Sequence, residues 1–181
     1  MRITDSQRRK VYSWETAYLP NPMDDKIFTD KLEIEQFVEQ ALRWFWHNPK
    51  PNSHNIPTVQ IVKGTRKSAS GGLWRIKLPD NNFGRSQITI IHEIAHVIEA
   101  NLRLHQHIDD VGAHGAWFVA IEIELLKRFT KLPFRQIAKD AKSSKVKFIP
   151  RRQVKLLRKR IKDEGIHPNG KKKYGVKYIQ I

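Results

Sequence analysis

The residues with the clearest chemical potential are five in a row, His92-Glu93-Ile94-Ala95-His96. On an α-helix, positions i and i+4 share a face, so the two imidazoles can reach one metal ion. Glu93 then lies about 100° around the helix axis from His92, beside such an ion rather than on it. From there a carboxylate can take a proton from water and pass it to a leaving group. Zinc lowers the pKa of a bound water to about 7, which makes a hydroxide nucleophile available at neutral pH. The flanking Ile88, Ile90, Ile91, Ile94, Ala95, Val97 and Ile98 would bury most of this helix. Two His and a Glu inside apolar surroundings are costly unless something satisfies them. The alternative to a metal is a hydrogen-bonded pair of core histidines.

A catalytic zinc takes three protein ligands and keeps one position open. The chain has no cysteine, so disulfides and thiolate zinc sites are excluded and any metal must sit on His and carboxylates. The spacing H-E-x-x-H-x-x-G-x-x-H is not met, because Glu99 stands at the Gly position and Leu102 at the third His. Glu122 and Glu124 could supply a carboxylate from a following helix. His105 and His107 fall in a polar loop with Asp109 and Asp110, where solvated side chains are the simpler reading. His114 precedes Gly115 at the head of an aromatic-rich helix. A loop of about a dozen residues suffices to bring it back alongside the metal helix. His114 is therefore the expected third ligand, and Glu122 the next candidate.

These side chains need elements to hold them. The hydrophobic spacing predicts a helix within Asp5–Tyr18, closed by Pro20, Asn21 and Pro22, and another from a Thr29 or Asp30 N-cap to about Trp46. Trp44, Phe45 and Trp46 read as core and rim aromatics. After a Pro/Asn-rich loop over 48–55, Thr58–Lys63 and Gly72–Leu78 read as strands. The second would form the edge of a cleft, able to pair with an extended peptide. Its Arg75 and Lys77 would serve mainly to block unwanted strand pairing. The metal helix is expected over Ser86–Leu102, followed by a loop over Arg103–Ala113 and helices over Gly115–Thr130, Phe134–Ala141 and Arg151–Glu164. Gly165 is placed to end the last of these. No internal repeat is visible. The pattern is α+β.

The formal charge is +16, and it is unevenly spread. Residues 1–141 carry 20 Lys+Arg against 16 Asp+Glu, whereas residues 142–181 carry 14 against 2. The organisation expected is a catalytic-type body over 1–141 and a basic C-terminal extension over 142–181. In that extension Arg151, Arg152, Lys155, Arg158, Lys159, Arg160 and Lys162, with Lys171-Lys172-Lys173 beyond, could track a phosphate backbone. Val154, Leu157 and Ile161 would dock its helix. A solubilising role, or an acidic protein partner, would use the same charge. No apolar run approaches the roughly 20 residues of a membrane span, and the N-terminus lacks the apolar core of a signal peptide. A soluble cytoplasmic protein without a membrane partner is the expectation.

His92-Glu93-Ile94-Ala95-His96 followed by His114-Gly115-Ala116-Trp117-Phe118 resembles the SprT-like zinc peptidases. In that family a short loop separates H-E-x-x-H from a third His that opens an H-G-x-x-F/W motif. Asp5-Ser6-Gln7-Arg8-Arg9-Lys10-Val11-Tyr12 also resembles the start of a small group of actinobacterial metallohydrolases with the same core. The likeness covers about residues 5–130. It implies a minimal zincin-like domain, a few-stranded sheet packed on the H-E-x-x-H helix. It also implies Zn2+ on His92, His96 and His114, Glu93 as general base, and a protein or peptide substrate. SprT-like proteins often carry a Cys-rich zinc ribbon after this core, and here a basic segment replaces it. A zinc metallopeptidase is the reading this supports. The alternative is a nucleic-acid-binding or structural protein on a zincin scaffold, where a non-catalytic zinc staples the fold. The two differ in whether protein ligands leave a metal position open.

Overall fold

A computed structural model describes residues 5, 7–18, 26–47, 56–63, 68–109 and 112–166. They form a mixed α+β structure with seven helices and a three-stranded sheet. The expected helix stop at Pro20–Pro22, the loop over 48–55 and Lys171–Lys173 lie outside the described residues.

Helix α1 runs over Arg8–Tyr18 and α2 over Lys31–Trp46. The start of α2 is fixed reciprocally. Asp30 accepts from the Glu33 amide at 2.8 Å, and the Glu33 carboxylate accepts from the Thr29 amide at 3.0 Å. Such mutual capping satisfies amides that the helix itself cannot. Ile34, Phe37, Val38, Ala41, Leu42, Phe45 and Trp46 form the buried stripe of α2.

Three strands follow: β1 (Thr58–Val62), β2 (Ser70–Gly72) and β3 (Arg75–Pro79). The strand expected over Gly72–Leu78 is in fact a hairpin. Leu73 and Trp74 form its two-residue turn, with Gly72 paired to Arg75. The apolar alternation continued through Leu73 by coincidence; only Ile76 and Leu78 point into the core, while Trp74 is exposed. The order β1-β3-β2 makes β3 the central strand, parallel to β1 and antiparallel to β2. The expectation that Leu73–Leu78 edges a cleft is therefore overturned, because β2 holds that edge.

A short α3 (Asn82–Arg85) bridges to α4 (Gln87–Leu104). Ser86 caps α4 by accepting from the Thr89 amide at 3.2 Å. Buried residues line nearly every turn of α4, since it lies between the sheet on one side and α5 (Ala116–Phe129) on the other. Helices α6 (Phe134–Ser143) and α7 (Arg151–Glu164) complete the structure. Gly165, at φ 59°, ends α7 in the left-handed region that favours glycine. The Ile166 amide then reaches back to the Ile161 carbonyl at 3.0 Å.

The last helix is seated on the body. Val154, Leu157 and Ile161 are buried, and Leu157, Ile161 and Ile166 belong to the same apolar cluster as α2, α4 and α5. The Arg158 guanidinium lies 3.7 Å from the Trp44 ring centre and donates to the Trp44 carbonyl at 2.9 Å. Arg151 pairs with the buried Glu124 at 2.6 Å. Among the described residues no helix is long and apolar enough to cross a membrane.

Candidate metal centre

Helix α4 presents His92 and His96 one turn apart, and the turn before α5 brings in His114. Their rings converge, with centroids 4.8 Å (His92–His96), 5.4 Å (His92–His114) and 4.7 Å (His96–His114) apart. Phe118 is fully buried beneath all three, with its ring 4.3 Å from His96 and 4.9–5.0 Å from the other two. One turn after His114 on α5, this aromatic forms the floor of the cluster and fixes the planes of the imidazoles.

Each ring is held from behind. His92 Nδ1 lies 2.6 Å from Glu15 Oε1 and 3.3 Å from Glu122 Oε1. His114 Nδ1 lies 2.5 Å from Asp5 Oδ2. The His96 ring hydrogen-bonds to the Ala113 backbone. With the Nδ1 atoms of His92 and His114 donating outward, their Nε2 atoms are left as lone-pair donors facing inward, the tautomer that metal-ligating His adopts.

The donor set fits a metal. One ligand atom from each of His92, His96 and His114 lies within 4.8 Å of the others. The Nε2 atoms of His92 and His96 are 3.1 Å apart. Two nitrogens at the usual zinc distance of about 2.0–2.1 Å in a tetrahedral set would be about 3.3–3.4 Å apart. His114 Nε2 is buried and has no hydrogen-bond partner, a cost that a cation would remove. Among the described residues, no fourth protein ligand joins these three.

Burial and the neighbouring carboxylates shift these groups in different directions. Burial, and after it the neighbouring His92 and His114 imidazoles, hold His96 well below the usual His range. Burial also lowers His114, despite its bond to Asp5. Burial opposes a charge on His92 too, but Glu15 and Glu122 outweigh it and keep its pKa well above the usual value. Burial and the neighbouring Glu15 raise Glu122 strongly, whereas His92 overcomes burial at Glu15 and lowers it. Glu15 thus carries the negative charge behind His92, while Glu122 is held toward its protonated form.

Glu93 is buried on the same helix, under β2. A Cβ built on Gly71 would fall 2.4 Å from the Glu93 carbonyl oxygen and 3.0 Å from its Oε2. Only glycine permits strand and helix to approach this closely, so Gly71 sets the position of Glu93 relative to the sheet edge.

The other sequence candidates lie elsewhere. Glu122 stands behind His92, not among the converging nitrogens. Glu124 faces Arg151. His105 and His107 sit past the end of α4, their rings 6.4 Å apart, outside both clusters of potential ligands. Sequence reasoning missed the roles of Asp5, Gln7, Tyr12 and Glu15. Gln7, just before α1, and Val11, Trp14 and Glu15 within it recur at helical spacing, with Val11 and Trp14 fully buried. Two polar residues in that apolar pattern were the available signal. Gln7 donates to the carbonyls of His114 (3.1 Å) and Lys147 (3.2 Å), and the Lys147 amide donates back to it at 2.5 Å. It ties the His114 turn to the segment leading into α7.

If the carboxylates orient the rings, Glu15→Gln and Asp5→Asn should each weaken zinc binding by about 10–100-fold while leaving the fold intact. Competition against a chelator of known affinity measures this. Affinities equal to the parent's would show that the two carboxylates only fill space.

No family model, curated protein or solved structure matches this chain.

Proposed function

We propose that this protein is a zinc-dependent metallopeptidase of minimal zincin-like, SprT-like type. One observation carries the reading: three imidazoles converge with no fourth protein ligand closing the set among the described residues, and Glu93 follows the first of them on the same helix. A structural zinc site uses four protein ligands, whereas a catalytic one keeps a position for water and substrate. Held by His92, His96 and His114, zinc would supply a Lewis acid and acidify a water.

The chain's own residues do the rest. Glu93 takes a proton from the attacking water and delivers it to the leaving amine as the C–N bond breaks, so one water is consumed per peptide bond. β2 is the edge strand of the sheet and lies above Glu93, where an extended peptide backbone could run alongside it. Burial of Glu93 and the ring cluster strengthens each electrostatic interaction at the reacting bond. The test is metal analysis of purified protein together with cleavage of fluorescein-labelled denatured casein. About one zinc per chain with chelator-sensitive cleavage supports a peptidase. Zinc without cleavage favours the stapled scaffold, and no zinc removes both.

A second reading concerns the basic C-terminal segment. Arg152, Lys155 and Lys162 on α7, with Arg135, Lys139 and Lys142 on α6, are exposed, and they suit a nucleic-acid backbone. Lys159 and Arg160 are exposed too, but pair along the helix with Asp163 and Glu164. Because α7 contributes core residues, charge reversal tests this better than truncation. DNA binding without sequence preference should weaken steeply with salt, with a slope near −0.9 per phosphate contacted on duplex. Arg152→Glu with Lys155→Glu should flatten that slope and leave zinc content unchanged. An unaltered slope would remove α7 as the contact, and no binding at low salt would remove nucleic acid altogether.

A further inference from the structure

The reaction proposed above develops negative charge on the carbonyl oxygen as water adds, and a hydrogen-bond donor is needed there. His105 and His107 stand past the end of α4, outside the converging cluster. The residue that the structure brings to the centre is Tyr12. Its ring stacks on His92 with centroids 5.6 Å apart and planes 21° from parallel, and it meets the edge of His114 at 5.1 Å. These two rings flank the inward-facing nitrogens.

Helix α1 holds Tyr12 there firmly. Val11 and Trp14 on either side of it are fully buried, Glu15 one turn later is bonded to His92, and Gln7 is clamped to His114 and Lys147. Against those neighbours, Tyr12 stands out because 41% of it remains exposed. An aromatic side chain packed on two of the three converging rings and still open to solvent stands between the cluster and solvent. Its phenol hydroxyl can donate a hydrogen bond.

We propose that Tyr12 is a catalytic residue whose hydroxyl donates to the carbonyl oxygen of the scissile peptide bond as that oxygen gains charge. The proposal rests on the metallopeptidase reading and deepens it. Tyr12 neither gains nor loses a proton overall: it donates one hydrogen bond while Glu93 moves the proton from water to the leaving nitrogen. A preformed donor aimed at developing charge contributes about 10²–10³-fold in rate where such donors have been removed. An aromatic wall that only shields the imidazoles would act through its ring alone, so the hydroxyl separates the two roles.

The experiment compares the parent, Tyr12→Phe and Tyr12→Leu in the full chain, each loaded with cobalt(II) so that the metal's visible absorption reports binding. The probe is acetohydroxamate, whose oxygens present charge at the metal as the reacting carbonyl does. All three proteins should take up cobalt, and Tyr12→Phe should bind the probe about tenfold more weakly than the parent, with casein cleavage falling about 10²-fold where the parent cleaves. Tyr12→Leu, which also loses the ring, should match Tyr12→Phe or fall below it. Equal probe affinity in the parent and Tyr12→Phe overturns the role of Tyr12 and leaves the metal site standing. Failure of the parent itself to bind cobalt overturns the metallopeptidase reading, and the role of Tyr12 with it.

Discussion

Glu93→Gln is expected to leave zinc bound at the parent's level and to lower hydrolysis by about two to four orders of magnitude. The substitution keeps volume and shape and removes only the ability to accept and return a proton. Glu93 is buried beneath β2 and no part of the converging nitrogen set, so metal content should not register the change. Gly71 leaves its neighbour little room to move, which argues against a rearrangement that would recruit another base. Zinc analysis and casein cleavage on the same preparation check both halves. Unchanged cleavage with zinc in place would show that another group is the base. Lost zinc would show that Glu93 supports the site structurally, as the stapled-scaffold alternative allows.

What the sequence could and could not reveal follows from how far each signal reaches along the chain. Helix α4 was legible because its apolar residues, the Ser86 cap and the two His all act within one local period. Helix α7 was legible for the same reason, down to the stop at Gly165. The approach of His114 to α4 was a matter of chain reach, and the structure does bring the three His together. The hairpin at Leu73–Trp74 was not legible, because alternation across a two-residue turn mimics a single strand and nothing local marks the reversal. Nor were Asp5 and Glu15, since their partners lie 109 and 77 residues away. A lone carboxylate in an N-terminal helix carries no mark of such distant partners. The charge division at residue 142 was visible in composition, but charge says nothing about packing. The way α7 docks depends on Trp44 and Glu124, and no periodicity connects either residue to it.

The second large effect concerns the metal itself, and it distinguishes the ligands from the carboxylate behind them. His92→Ala, His96→Ala and His114→Ala should each remove most of the zinc, because a three-nitrogen set reduced to two no longer holds the ion against competing water. Glu122→Gln is the informative contrast. Glu122 is fully buried and reaches only the Nδ1 side of His92, at 3.3 Å. Glutamine keeps its volume and can still bond to Glu15 or His92, so zinc affinity should fall by no more than the roughly 10–100-fold typical of groups that orient a ligand. The loss in His114→Ala should exceed this clearly. Thermal unfolding supplies an independent measure, because a metal that binds only the folded chain stabilises it by about 2.7 kcal/mol when present at a hundred times its Kd. Added zinc should therefore raise the Tm of the parent and of Glu122→Gln, and should do little for His114→Ala. The reverse ranking, with zinc lost from Glu122→Gln and retained in His114→Ala, would replace the third imidazole by a carboxylate ligand. That result would also require the Glu122 side chain to turn from the outer face of His92 to its inner one.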